Sequence, residues 1–371
     1  MEVGRGIQSL EKEIAAAVEN MHNHLDKIQF QNSFDESKFI VFDQDGYGFG
    51  AQFERRMLGL QFACMYGRSV VFVNENNPPY TLCFEPTGSI TYSEIEHLEK
   101  PVFDYTHKQG DKVVFFDFDS FWRNSELNRE IYEWMPEEFQ DLDRYAQKTF
   151  PESKNWVHPE FKNLSRIKRI FSGELLSRFK YLPQFRSEID AIKKRIGFES
   201  PIIGVHIRRG DKTVEAPYVP LRRYHSEILR AVKETGINNV FVTSDDPDVF
   251  SGLPGQSYIN YIYDDEEPRF NNANHIMLRK NQELAFQETL TALKIYDLLS
   301  YCDVVIGQSN AHLTLLAMCR NEARKMGAGD YRLTKGDYCA SFFGADPRDW
   351  SDVFSYKYRS MKRALRKSIK K

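Results

Sequence analysis

Six apolar runs of strand length, spaced by enough chain to form helices, restrict this sequence more than any other feature: 38–42, 69–73, 112–116, 202–207, 239–243 and 303–307. A strand with one wet face alternates apolar and polar residues. Strands of a parallel sheet, covered by helices on both faces, read instead as continuous apolar stretches. The three runs after Pro201 are of this second kind and predict parallel-sheet units, while the earlier three give the first half alternating α/β character. Gly46-Tyr47-Gly48-Phe49-Gly50 follows the first run and leads into helical spacing through Phe53, Met57, Leu60 and Phe62. Strand, glycine turn and helix are the opening of an α/β unit. Over 122–193 the pattern is mostly helical and links the two sheets.

A chain of 371 residues exceeds what one hydrophobic core usually serves, so two main domains with a cleft between them are expected. The divisions read as an amphipathic helix over 1–35, an N-terminal α/β domain over 36–197, a Rossmann-like domain over 198–345 and a basic tail over 346–371. In the first segment Ile7, Ile14, Met21 and Ile28 fall on one helical line, with Leu10, Ala17 and Leu25 on or beside the next. That stripe serves either packing on its own domain or a homodimer seam. The tail carries eight basic residues over 357–371, readable as a solvated helix or as a face for acidic lipid or an acidic partner.

The formal net charge of -3 leaves no global positive field, so nucleic acid is not an expected partner and any anion site must be local. No run approaches the roughly 18 apolar residues of a membrane span, and the first residues lack the apolar core of a secretory signal. The expectation is a soluble, cytoplasmic protein as the chain stands, or a Golgi-lumenal one if an N-terminal anchor has been lost. Cys64, Cys83, Cys302, Cys319 and Cys339 are scattered and odd in number, which fits a reducing compartment better than a disulfide frame or structural zinc. One sequon, Asn163-Leu164-Ser165, is of a kind that chance often supplies.

Ligands of parallel sheets sit beyond the carboxyl ends of the strands, and Gly204-Val205-His206-Ile207-Arg208-Arg209-Gly210-Asp211-Lys212 places two arginines there. Guanidinium grips phosphate oxygens with two parallel hydrogen bonds and can stabilise the charge growing on a departing diphosphate, so no metal is required. A structural Arg–Asp pair at a strand end is the alternative. The functional reading requires Arg208 to face a groove.

This stretch resembles the His-x-Arg-Arg-x-Asp-Lys signature of the α1,6-fucosyltransferases. Glu215, Pro220 and Tyr224 follow at nearly the family spacing, and the segments around Val240-Phe241-Val242-Thr243-Ser244-Asp245-Asp246-Pro247 and Leu298-Leu299-Ser300-Tyr301-Cys302-Asp303 are similar to later blocks. Gly48-Phe49-Gly50-Ala51-Gln52 resembles the glycine turn that opens the family's first domain. The resemblance implies a GT-B-like fold with two α/β domains, the acceptor approaching from the first and GDP-fucose held by the second. It implies inverting transfer of fucose to a glycan hydroxyl without metal or other cofactor. Arg208 would meet the donor β-phosphate, supported by Arg209; His206 and Asp245 would meet guanine; Tyr224 would be a donor-side contact. Glu215 would be the general base, with Lys212 in its charge network. Gly48, Gly50, Asp211 and Asp246 would complete the donor site.

Where the family has a serine–glutamine pair for donor oxygens, this chain reads Ala311-His312 within Gly307-Gln308-Ser309-Asn310-Ala311-His312. The polar contacts are then expected from Ser309, Asn310 and His312, and the donor sugar is left open. No counterpart of the animal enzymes' clustered cysteines or C-terminal SH3-like domain is expected from the residues given. Several of these residues have structural readings as well: a core histidine at 206, an Asx turn at Asp245-Asp246, a surface carboxylate at Glu215. Asp43-Gln44-Asp45 and Asp117-Phe118-Asp119 admit a metal-dependent phosphatase, though no lysine and acidic pair can be assigned to complete it. Arg209-Gly210-Asp211 spells an adhesion tripeptide, but at a strand end. A transferase with another donor or a protein hydroxyl acceptor, or a silent sugar-nucleotide or glycan-binding module, are the other function classes that fit.

Overall fold

The computed structural model describes residues 2–30, 34, 37–43, 48–73, 80–99, 101–103, 111–118, 121, 130–149, 165–209, 219–253, 255–269, 278, 280–308, 311–327 and 339–342, with backbone alone at 2–8, 147–149 and 339–342. Asp211, Lys212, Glu215, Ser309, Asn310, the sequon asparagine and the basic tail lie outside the described residues.

The molecule is α/β with two parallel sheets. Strands β1 (Phe39–Asp43), β2 (Ser69–Val73) and β3 (Val113–Phe116) form the first, in the order β2-β1-β3. The second contains β4 (Ile203–Ile207), β5 (Asn239–Ser244), β6 (Asn260–Ile262), β7 (Val304–Gln308) and β8 (Cys339–Phe342), in the order β6-β5-β4-β7-β8. Each of the six apolar runs is a strand. Neither β6 nor β8, at the two ends of that order, was predicted; β6 has exposed and half-buried residues, and such a strand needs no continuous apolar run.

Eight longer helices accompany these sheets among the described residues: α1 (Glu2–Gln29), α2 (Phe49–Tyr66), α3 (Glu137–Thr149), α4 (Arg166–Ser177), α5 (Pro183–Arg195), α6 (Leu221–Thr235), α7 (Gln282–Tyr301) and α8 (His312–Gly327). On α1, Leu10, Ile14, Ala17, Met21, Leu25 and Ile28 are all buried. The helix packs on α2 and α3, so the stripe offered either to its own domain or to a second copy is covered within the chain and cannot also form a dimer seam.

One face of the second sheet packs Ile203, Val205, Ile207, Val240, Val242 and Ile306 with Tyr224 and Ile228 of α6. Phe241 and Val305, on the other face, join a larger cluster that continues through α7 and α8 into the first sheet's helices. The division expected at 197/198 is therefore crossed by shared core. Gly173 shows how closely: a Cβ there would stand 2.0 Å from the Cys319 carbonyl oxygen of α8. Beside that contact, Glu322 of α8 pairs with Arg166 at 2.9 Å and Arg169 at 3.1 Å, both from α4. The approach fixes α8, whose N-terminus carries His312.

Candidate active site

Parallel pairing sets His206 beside Thr243 on β5 and Gly307 on β7, so the strand's carboxyl end opens at the centre of the second sheet. A groove of about 270 Å³ lies there. His206, Arg208, Ser244 and Asp245 contribute one wall, while Gly48, Phe49, Gly50 and Ala51 of the first unit contribute another. Ala311, His312 and Leu313, at the start of α8, close it on a third side.

Two helix N-termini thus meet at one groove. Unsatisfied amides and the positive end of the helix dipole favour an anion at each. Gly50 permits the meeting, because an added Cβ would come within 3.0 Å of His312 Cβ and 3.2 Å of the Leu313 nitrogen.

Arg208 lines this groove with its side chain 29% exposed and paired to Asp245. The carboxylate cap does not remove it from the groove; Asp245 is itself part of the wall. The other Asp245 oxygen accepts the Arg209 backbone N–H at 2.7 Å. Asp245, expected to meet guanine, here braces the arginine loop through both oxygens. Arg209 reaches Asp246 at 3.7 Å and is not among the groove-lining residues. Asp246 accepts the Asp248 N–H at 3.0 Å, ahead of the one-turn helix Asp248–Ser251, which is the Asx-turn geometry left open by the sequence.

Tyr224, expected as a donor-side contact, is 1% exposed within the core between β4, β5 and α6. Tyr224 shares the buried stripe of α6 with Ile228 and Val232, and it lies close enough to Arg209 and Asp245 to feel both charges. His206 is also buried, but against the groove. Its Nδ1 lies 2.6 Å from Thr314 Oγ1, and burial, followed by the Arg208 charge, pushes its pKa down to about 3. The imidazole is therefore neutral near pH 7, able to make hydrogen bonds without adding charge.

The sequence reading missed Arg269, a further groove-lining cation. It is 18% exposed, pairs with Glu267 and donates to the Asp264 carbonyl at 3.1 Å. Nothing local marks it, since it belongs to no motif and follows the edge strand β6. Glu54, another missed residue, is 2% exposed on α2 and lies 2.8 Å from His312 Nδ1. A second cavity of about 370 Å³ adjoins the groove at Glu267, Pro268 and Thr291. Within it Asp264 pairs with Lys294 and Arg195, each at 2.7 Å.

Among the described residues no group of three His, Cys, Asp or Glu side chains is placed to hold a metal ion. Asp119 and Asp45 of the two Asp-x-Asp triplets lie outside those residues. Phe118, between Asp117 and Asp119, is buried with Arg55 over its ring at 4.1 Å. No described helix is long and apolar enough to cross a membrane.

Residues 168–279 match the family model described as alpha-(1,6)-fucosyltransferase N- and catalytic domains. The matched segment holds His206, Arg208, Asp245 and Arg269, whereas α2 and α8, which bring their N-termini to the groove, lie outside it. Among solved structures the chain is similar to the NodZ alpha-1,6-fucosyltransferase co-crystallized with GDP, at 16% identity and a TM-score of 0.45, covering 78% of this chain and 93% of that one. It is similar to NodZ from Bradyrhizobium at 14% identity and 0.42, covering 76% and 92%. POFUT1 in complex with GDP matches at 14% identity and 0.42, covering 84% and 100%.

Proposed function

We propose that this protein transfers fucose from GDP-fucose to a glycan hydroxyl, with inversion at the anomeric carbon and without a metal ion. The observation that carries this reading is the convergence of Arg208 and two helix N-termini on one groove at the carboxyl end of a parallel sheet. Such a site is built for a diphosphate: oriented amides and a guanidinium aim positive charge at oxygens that become more negative as the sugar–phosphate bond breaks. With those charges supplied by the chain, the leaving group needs no cation. The family match over the segment holding Arg208 supports fucose as the sugar. Neutral, buried His206 on the groove wall is suited to the nucleobase end, where directional hydrogen bonds distinguish bases. Inversion follows from direct attack by the acceptor oxygen on the face opposite the departing diphosphate.

Arg208→Ala tests the assignment. A charge-assisted hydrogen bond contributes about 1.5–3 kcal/mol, so GDP affinity by calorimetry is expected to fall roughly 10- to 100-fold in a variant that still melts cooperatively. Unchanged GDP affinity overturns the donor site. A thermal-shift panel of GDP-fucose against other GDP-sugars and UDP-sugars tests the sugar and base, with the largest shift expected from GDP-fucose.

A further inference from the structure

A nucleotide donor site has to tell one base from another, and the groove wall formed by α7 carries the means. Glu288, Thr291, Ala292 and Ile295 all line the groove, and positions i, i+3, i+4 and i+7 share one face of a helix. With Ala292 and Ile295 buried, this face is a short apolar strip that has a carboxylate toward its N-terminal end. Ile295 lies roughly 10 Å along the axis from Glu288 at about 1.5 Å of rise per residue, a span that a flat purine on the strip can bridge. The diphosphate belongs elsewhere in the groove, with Arg208 and the N-termini of α2 and α8, where positive charge converges. A carboxylate repels phosphate oxygens and accepts from N–H donors. Three carboxylates line the groove among the described residues, and two have set tasks. Asp245 pairs with Arg208 through one oxygen and accepts the Arg209 amide with the other; Glu267 pairs in the same way with Arg269 and Lys294. Glu288 is the third.

We propose that Glu288 selects guanine, its carboxylate accepting hydrogen bonds from the N1–H and the 2-amino group of a base that lies on Ala292 and Ile295; this rests on the GDP-fucose reading above. Guanine offers two adjacent donors on one edge, which match the two oxygens of one carboxylate. Adenine turns its N1 acceptor toward that edge, and uracil flanks a single N–H with two carbonyl oxygens. Either base would set lone pairs against the negative charge, so the same residue that holds guanine rejects the others. His206, on the sheet side of the groove, adds directional hydrogen bonds without charge, which leaves the stronger discrimination to the carboxylate. Glu288 lies beyond the matched segment 168–279, and its assignment comes from the groove alone.

Calorimetry on the full chain compares wild type and Glu288→Gln with GDP, with ADP, and with inosine diphosphate, which lacks only the 2-amino group. Wild type is expected to bind GDP about 10- to 100-fold more tightly than inosine diphosphate, the worth of one charge-assisted hydrogen bond. In Glu288→Gln, a change of charge but not of shape at a half-buried position, GDP should weaken about 10- to 100-fold and the preference over inosine diphosphate should narrow to a few-fold. A wild type that binds GDP and inosine diphosphate alike overturns the proposal without any variant. So does a Glu288→Gln protein that keeps the full preference. Equal weakening of both nucleotides, with their ratio unchanged, overturns it as well, because the carboxylate would then act on something the two share. The GDP-fucose reading fails by a different result: a wild type that binds ADP as tightly as GDP, or binds neither, removes the guanosine donor and this inference with it.

Discussion

Replacing Glu322 by Gln tests the joint that holds α8 in place. The side chain is 5% exposed, and its two oxygens accept from Arg166 Nε at 2.9 Å and Arg169 Nη2 at 3.1 Å. Those arginine side chains are themselves only 6% and 7% exposed. Burial opposes the Glu322 charge, but the two guanidiniums outweigh it and hold the carboxyl well below the usual range. Glutamine preserves the shape and removes the charge, leaving two buried cations without their shared carboxylate. Breaking a buried pair in this way costs about 3–5 kcal/mol.

The same interaction dictates a pH dependence. A glutamate in the unfolded chain titrates near about 4.3, above the depressed folded value, so the native state binds fewer protons in between. Its stabilising contribution is complete above that unfolded value and is lost as pH falls through the folded one. Urea unfolding of both proteins, followed by tryptophan fluorescence, should show the full gap at pH 7 and a narrowing gap below about pH 4. A gap under about 1 kcal/mol at neutral pH, the range of an exposed pair, would refute the reasoning. A gap that does not narrow in acid would do the same.

Gly50→Ala should separate stability from binding. Overpacking against His312 and the Leu313 nitrogen costs about 1–3 kcal/mol and is offset by about 1 kcal/mol of helix propensity, so the melting temperature changes little. GDP affinity should drop clearly because both helix ends are displaced, and calorimetry showing native affinity would contradict the two-helix anion site. For His206, the depressed folded pKa of about 3 predicts a ring that stays neutral from pH 8 to 5 in an NMR titration. Unfolded histidine takes a proton near about 6.5, so this residue's contribution to stability is present above that pH and lost as pH falls toward the folded value. Titration of the native ring near about 6.5 would show that it is neither buried nor positioned as described.

Residues whose role follows from their own segment were readable before the structure. The continuous apolar runs announced six strands, and the arginines after Ile207 were readable as lying at a strand's carboxyl end, because in a parallel sheet strand direction alone decides which end presents ligands. Tyr224 was readable only in part: its position in the pattern suggested a donor contact, while the tertiary structure seats its ring in the core on the buried stripe of α6, near the charges of Arg209 and Asp245. Asp245 was recognised as part of the site, yet its partners, Arg208 and the Arg209 amide, depend on the pairing of β4 with β5. Arg269 was not readable, since it follows a three-residue edge strand that carries no apolar run.

The order of elements, the parallel character of the central strands and the position of Arg208 at a strand's carboxyl end are therefore properties of the sequence, written in local periodicity. The meeting of α2 and α8 at the groove, the pairing of Glu54 with His312, and the burial of the α1 stripe within its own chain belong to the tertiary structure. Periodicity states which face of a helix is apolar but not which surface covers it. Residues 54 and 312 become neighbours only because Gly50 and Gly173 let three helices approach more closely than any side chain would allow.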